Sequence, residues 1–396
     1  MTVTEAALRA RPQFRRYLAA RTISVASMLL TAVVLPVLAY RLTGSVAWTA
    51  AVAAAQGLPH LLFGLPAGWL QRRPVVLGTN LAGAGVLASI PVVWLAGTSS
   101  PWHVLAVAVA AQAMFVVCDA ADDGALSTLA GTDGEDAGRA AVSGSTTLVH
   151  LMVPPLIGLA VVIVPPEPLL ALAAVGALVV TLLVRALPQC CARLAPAQRR
   201  PGAVRFLRDE PTARAMTLVG IAHAVAGGAF VAVLLPWADV ELGVAPTGDA
   251  RLALVVSCWG IGGLIATGVT PLLHRRLDPA RLAVAALLAS LATGLAVLAS
   301  THWLPGVLAA TLWGTAYWAV VLNAVEYRRD AAPDELRARV DAWARILTFG
   351  LGYPAGAVLA GVVATAAGPR AGLAAGLGVL ALGIVLGWRP LARPRR

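Results

Sequence analysis

Lysine is absent from this sequence: its 30 basic residues are all arginine. A phosphate-cradling Gly-x-x-x-x-Gly-Lys-Ser/Thr loop therefore cannot be built, which removes a nucleotide-driven pump from consideration. Charge of either sign is also scarce. Charged residues make up 12% of the chain, whereas a soluble domain carries roughly a quarter. Cysteine is limited to 4 residues. Cys190 and Cys191 are adjacent, Cys118 and Cys258 stand alone in apolar runs, and no Cys-x-x-Cys spacing exists. Neither a disulfide framework nor a zinc site is expected. The acidic loop Asp133, Glu135 and Asp136 lacks a histidine partner or ligand spacing, so no enzyme centre, metal or cofactor is expected.

What the chain has in abundance is apolar surface. Hydrophobic residues reach 59% and the mean hydropathy is +0.80. Too few polar side chains remain to cover a soluble globule of this size. The net charge of +11 would suggest nucleic acid in a soluble protein. Here the placement of the arginines excludes that partner.

The longest polar interruption runs from Arg185 to Arg214 and contains Arg193, Arg199, Arg200, Arg205 and Arg208, with breakers at Pro196, Pro201 and Gly202. Six apolar segments precede it and six follow, each about the 17–25 residues that a bilayer core requires. The first six are near Thr22–Tyr40, Ala47–Leu70, Pro74–Ala96, Trp102–Ala121, Ala140–Val164 and Pro168–Val184. The second six are near Ala215–Pro236, Leu252–Leu273, Leu282–Ser300, Trp303–Val325, Ala342–Ala366 and Ala371–Trp388. The expected organisation is an N-terminal bundle over residues 1–187, a linker over 188–213 and a C-terminal bundle over 214–396. The polar start before the first span gives no cleavable signal peptide.

Arginine position orients the spans. With the N-terminus cytoplasmic, the outer loops keep only Arg41, Arg251 and Arg370, and all other arginines fall inside. Both termini and the linker are then cytoplasmic. Tryptophan agrees at Trp48, Trp69, Trp94, Trp102, Trp237, Trp303 and Trp388, near span ends where an amphipathic ring prefers the interface. Trp259, Trp313, Trp318 and Trp343 fall inside spans.

The halves repeat at an offset of about 200 residues. Leu35-Pro36 matches Leu235-Pro236, and Leu70-Gln71-Arg72-Arg73 matches Leu273-His274-Arg275-Arg276. Glu135-Asp136 matches Asp334-Glu335, and Pro155 matches Pro354. Six spans separate equivalents, so both halves have the same orientation, a parallel repeat about an axis along the membrane normal.

With Phe14-Arg15-Arg16 and Arg21 ahead of the first span, Leu42-Thr43-Gly44-Ser45 after it, Leu65-Pro66-Ala67-Gly68 closing the second and Pro333 to Val340 leading into the eleventh, the chain resembles a major facilitator superfamily transporter. It is most similar to the bacterial branch of enterobactin exporters and macrolide-efflux proteins. The resemblance implies twelve transmembrane helices in two six-helix bundles, an all-α membrane fold, and export of a drug or natural product from the bacterial cytoplasmic membrane. A monomer, a small-molecule substrate and proton antiport go with it. Two departures stand out. The loop after the second span lacks the family's Asp, reading Gly68-Trp69-Leu70-Gln71-Arg72-Arg73, and the antiporter motif of the fifth span is reduced to Pro154-Pro155-Leu156-Ile157-Gly158-Leu159.

The resemblance also implies that spans one, four, seven and ten line a cavity. Candidate substrate-facing residues are Ser24, Ser27, Gln112, His223, Trp313, Tyr317, Trp318 and Asn323. Trp313 and Tyr317 lie one turn apart on one face. Candidate gating or proton-coupling residues are Asp119, Glu326, Asp341, Arg345, Arg72 and Arg73, because charge within a membrane is costly and usually functional. Asp341 lies four residues before Arg345, a spacing that suits a local ion pair. The deep histidines are His60, His150 and His223, with His223 the candidate proton carrier in the cavity. Small residues at Gly64 and Gly68, at Gly260, Gly262 and Gly263, and at Gly350, Gly352, Gly356 and Gly361 would let helices approach and slide. The alternative function is a facilitator or importer of a small organic solute, since a cavity rich in aromatics and poor in fixed charge suits a neutral or weakly amphipathic molecule.

Overall fold

The computed structural model describes residues 11–63, 73–131, 134–187, 202–333 and 336–392. Arg72, the Gly64/Gly68 pair, Trp69, most of the linker and Asp334-Glu335 lie outside the described residues.

Twelve helices are long and apolar enough to cross a membrane. They are α1 (Pro12–Thr43), α2 (Val46–Phe63), α3 (Arg73–Leu95), α4 (Pro101–Ala130), α5 (Glu135–Ile163) and α6 (Pro166–Arg185), then α7 (Pro211–Leu242), α8 (Arg251–His274), α9 (Pro279–Ala299), α10 (Trp303–Ala331), α11 and α12 (Pro369–Ala392). α11 has three parts: Arg337–Arg345, a π-helical stretch Ile346–Gly352, and Tyr353–Ala367. A short helix, Gly202–Asp209, precedes α7. The protein is a multi-pass membrane protein. The described chain starts and ends on one side of the bundle, here the terminal face.

Local chemistry sets the ends. Proline occupies the first turn of α1, α6, α7 and α9, where its fixed φ suits a helix and its missing N–H costs nothing. Gly44 and Gly243 close α1 and α7, both at φ 61°, a left-handed conformation that glycine adopts without penalty. The two stops are equivalent positions of the repeat. Several helices overrun the expected spans: α1 begins at Pro12 rather than near Thr22, and α4 and α10 continue to Ala130 and Ala331. Hydropathy marks the bilayer core, whereas helical hydrogen bonding runs on into polar sequence beyond it.

The repeat is visible in the packing. α1 packs on α5 and α6, α3 on α6, and α2 on α4; correspondingly α7 packs on α11 and α12, α9 on α12, and α8 on α10. Leu172, Leu178 and Leu182 of α6 and Leu382, Val385 and Leu386 of α12 stay exposed, the stripe expected of lipid-facing helices. α7 is the most buried of the twelve described spans.

Two antiparallel seams join the bundles, α2 against α11 and α5 against α8. Both have the same design. Gly57 of α2 meets the ring of Pro354, and Gly260 of α8 meets the ring of Pro154, where an added β-carbon would lie 2.8 Å from the ring. Towards the face opposite the termini, Gly361 meets Ala50, and Gly158 meets Ala253, whose carbonyl would be 2.6 Å from an added β-carbon. Pro154, rather than the Pro155 expected from sequence, is thus the spatial counterpart of Pro354. The stagger comes from α5 and α11, whose proline-to-glycine spacings differ by about one turn of helix.

Trp237 departs from its expected place at the membrane interface. It is 1% exposed, packed under Gly306 and Leu242 and beside Phe230. Trp48 and Trp102 meet edge to face at 4.7 Å, and Trp102 is exposed as an interfacial ring should be.

Candidate functional site

The candidate residues fall into three groups. The first is an aromatic core inside the second bundle. Tyr317 stacks on His223 at 4.2 Å and lies 4.8 Å from Trp259. Trp259 meets Trp313 edge to face at 5.4 Å and stacks on Phe230 at 4.9 Å. Gly227 gives Tyr317 its place, since any β-carbon there would strike the ring. Ser290 of α9 ties the core together: it accepts from Trp313 Nε1 at 3.0 Å and lies 2.9 Å from His223 Nε2. A hydroxyl carries one proton and two lone pairs, so Ser290 can serve the indole and the imidazole at once.

His223, Trp313 and Tyr317 are at most 3% exposed, behind the accessible surface rather than on it. The structure thus places these three candidate residues against other side chains. α10 is apolar and aromatic on several sides, so one-turn spacing could not distinguish a packed face from an open one. Trp318 and Trp259 are the rings of this group left half-exposed, and Trp318 lies against Gly263 of α8. Replacing Ser290 by alanine should orphan both polar partners, at roughly 1–3 kcal/mol for each. Thermal unfolding of the purified protein should show it, with little change for Thr293→Ala one turn away, whose hydroxyl bonds only its own helix.

The second group lies near the terminal face. Asp119 of α4 takes Arg21 Nη2 of α1 at 2.5 Å and Arg345 Nη1 of α11 at 3.3 Å. Arg345 thus crosses between bundles instead of pairing with Asp341. Asp341 is engaged by Arg329 at 3.2 Å and Arg328 at 3.8 Å, both from α10. Glu326 receives His274 Nδ1 of α8 at 2.8 Å. Asn323, also expected to face substrate, is fully buried, with Oδ1 2.8 Å from His274 Nε2 and Nδ2 donating to the Pro279 carbonyl at 2.8 Å. Arg73 donates to the carbonyl of Arg185, holding the end of α6 within its own bundle. His150 is exposed and bonded to Thr146 O of its own helix.

In the first bundle Ser24 and Gln112 are half-buried, whereas Ser27 is 6% exposed and packs against Gly176 of α6. Ser27 belongs to a seam between α1 and α6.

The third group lies at the opposite face and was not anticipated. Tyr40 of α1 donates to Asp239 Oδ2 of α7 at 2.8 Å. Arg41 donates to the Pro246 carbonyl at 2.7 Å and to the Val161 carbonyl at 2.9 Å, with the Glu167 carboxylate adding attraction. One guanidinium thus fastens both bundles. The signal was available: Tyr40 and Asp239 are equivalent positions of the repeat, and equivalents on inner helices meet at the pseudo-symmetry axis.

The site therefore has polar fasteners at both faces, two glycine-lined seams and a partly exposed aromatic wall. Among the described residues no group of three or more metal-ligating side chains is assembled. No protein-family model matches the chain, and no curated protein matches it. Solved structures do. A bacterial homolog of the human lysosomal transporter Spinster, inward-facing and unoccupied, aligns over 97% of this chain and 98% of its own at 13% identity and a TM-score of 0.77. A peptide transporter in complex with alafosfalin aligns over 99% and 98% at 14% identity and 0.72. The nucleoside transporter NupG aligns over 95% and 98% at 14% identity and 0.68. The chain has the two-bundle, twelve-helix fold of the major facilitator transporters.

Proposed function

We propose that the chain is a secondary active transporter that exports a hydrophobic or amphipathic small molecule, a drug or natural product, by alternating access coupled to protons. In this reading it belongs with the enterobactin-exporter and macrolide-efflux proteins that its loop motifs resemble. It works as a monomer in the bacterial cytoplasmic membrane, with the terminal face cytoplasmic. The observation that carries the mechanism is the pairing of matched seams with fasteners at both faces. Bundles joined by close glycine contacts and a few polar links can rock when one set of links is exchanged for another. The substrate class is supported by Trp259 and Trp318, half-exposed over a buried aromatic core, beside few charged groups. Aromatic faces bind flat apolar or weakly cationic molecules without demanding a fixed counter-charge.

The test is uptake of ethidium, rhodamine 6G and Hoechst 33342 into inverted vesicles with and without the protein. Accumulation of at least one dye that stops when the proton gradient is collapsed supports the proposal. Equilibration without accumulation, indifferent to the gradient, would favour the alternative of a facilitator or importer of a small organic solute.

A further inference from the structure

The ring of His274 is the best-defined polar junction in the second bundle, and its hydrogen-bond directions can be worked out from its neighbours. The Pro279 carbonyl can only accept, so the Asn323 atom 2.8 Å from it is the amide nitrogen. The Asn323 atom facing His274 is then Oδ1, also an acceptor only. His274 Nε2, 2.8 Å away, must therefore carry hydrogen. That leaves Nδ1, 2.8 Å from a carboxylate oxygen of Glu326. A neutral imidazole with its proton on Nε2 would present a lone pair to that oxygen, and two acceptors do not sit at hydrogen-bond distance. One further proton has to lie between them, either on Nδ1 opposite a carboxylate or on Glu326 opposite a neutral ring.

We propose that His274 and Glu326 bind one exchangeable proton between them and form the proton site on the terminal face, a proposal that rests on the proton-coupled reading above. Binding is a simple transfer: the Nδ1 lone pair or the carboxylate takes a proton from water, and release returns it. Glu326 provides the route, with 57% of its side chain exposed while the His274 side chain is 17% exposed. Loss of the proton sets a lone pair against a carboxylate. Glu326 then swings into solvent or the ring turns, and a turned ring gives up its bond to Asn323. Because the junction joins the end of α8, the first turn of α9 and α10, proton release loosens three helices of one bundle at the terminal face.

The other described charges nearby are already engaged or exposed. Asp278 and Arg281 of α9 pair at 3.0 Å, Arg328 and Arg329 of α10 are held by Asp341 of α11, and Arg275 and Arg276 are exposed. From α7, Arg214 donates to the Arg208 carbonyl, and Glu210, just ahead of it, bonds Tyr327. From α5, His150 bonds its own helix, and Arg139 has partners of its own. By contrast Asp119 is held between two guanidiniums, and His223 is sealed in the aromatic core. Neither is as well placed to exchange a proton.

The probe is the proton itself, followed in the full-length protein in detergent at about pH 6.5, where a free imidazole is half protonated. Histidine labelled with 15N gives resonances from 6 residues, and His274→Gln identifies the one that matters. The shared proton should appear either as a protonated Nδ1 of His274 or as a protonated-carboxyl stretch in the infrared, and Glu326→Gln should abolish whichever is present. Glu326→Asp, which keeps the carboxylate, should restore part of the signal and guards against misfolding. Neither signal in the wild type, or a signal unchanged in Glu326→Gln, overturns the proposal. Vesicle transport of ethidium separates the two levels. If the proton is found but dye uptake ignores the gradient, the site stands and coupled export falls. If uptake needs the gradient and Glu326→Gln leaves the proton signal intact, coupling stands and this site falls.

Discussion

Replacing Gly57 by alanine should hold the two bundles apart and slow alternation by roughly 5- to 150-fold. The added methyl would overlap the ring of Pro354 and approach the Phe349 carbonyl at 2.8 Å. Neither neighbour can rotate away: one is a closed ring and the other is backbone. α2 and α11 must therefore separate, at a strain of about 1–3 kcal/mol. That strain applies only to conformations in which the seam is closed, so it shifts the balance between states by roughly 5- to 150-fold. Gly260→Ala should act in the same sense at the matched seam, more mildly, because the Pro154 ring is reached at 2.8 Å. Gly85→Ala in α3, where an added β-carbon meets nothing within 4 Å, is the control and should leave dye transport unchanged. Equal transport in all three variants would show that the seams are ordinary packing.

These seams also show what the sequence could reveal. The twelve spans, their two groups of six and the parallel repeat were all legible, because a bilayer imposes length and hydropathy on each helix separately. The glycines and prolines of α5, α8 and α11 were visible too, but the pairing of Gly57 with Pro354 was not. Pairing across antiparallel helices depends on relative height, and the sequence gives helical height only to within a turn or two. The Pro155 match failed for this reason, since adjacent prolines lie about 100° apart on a helix and only one can enter the seam.

The polar residues were harder to read. Asp119 and Glu326 stood out as carboxylates at the ends of apolar spans, but their partners came from other helices: Arg21 from an N-terminal arginine run, Arg345 from α11 and His274 from the end of α8. Charge counting located the groups without saying which would meet. The aromatic residues of α10 illustrate the opposite difficulty. Polarity marked Trp313 and Tyr317 as interesting, yet buried Ser290 on α9 satisfies the indole directly, so nothing forces either ring towards open space. Ser290 itself is an unremarkable serine in an apolar stretch until the fold places it under two partners.

Replacing Asp119 by alanine should open the terminal face, and a comparison of its two partners should show why. Asp119 is the one described carboxylate with ion-pair partners from both bundles, Arg21 on its own side and Arg345 from across. With 42% of the Asp119 side chain and 50% of the Arg345 side chain accessible, water screens the link, so the Arg345 arm is worth about 1 kcal/mol. Its loss in Arg345→Ala should favour the opened state roughly fivefold. Asp119→Ala loses that arm and also leaves two guanidiniums facing each other without the charge between them. Its effect should be larger, about 2–3 kcal/mol or at least tenfold in population. Arg21→Ala, which cuts only the link within the first bundle, should fall well short of both. The readout is the rate at which a membrane-impermeant maleimide labels a cysteine placed at Gln112, half-buried on the same helix two turns deeper, in a background without native cysteines and in inverted vesicles. If Arg345→Ala and Arg21→Ala raise that rate equally, the carboxylate is acting within its own bundle and does not fasten the gate.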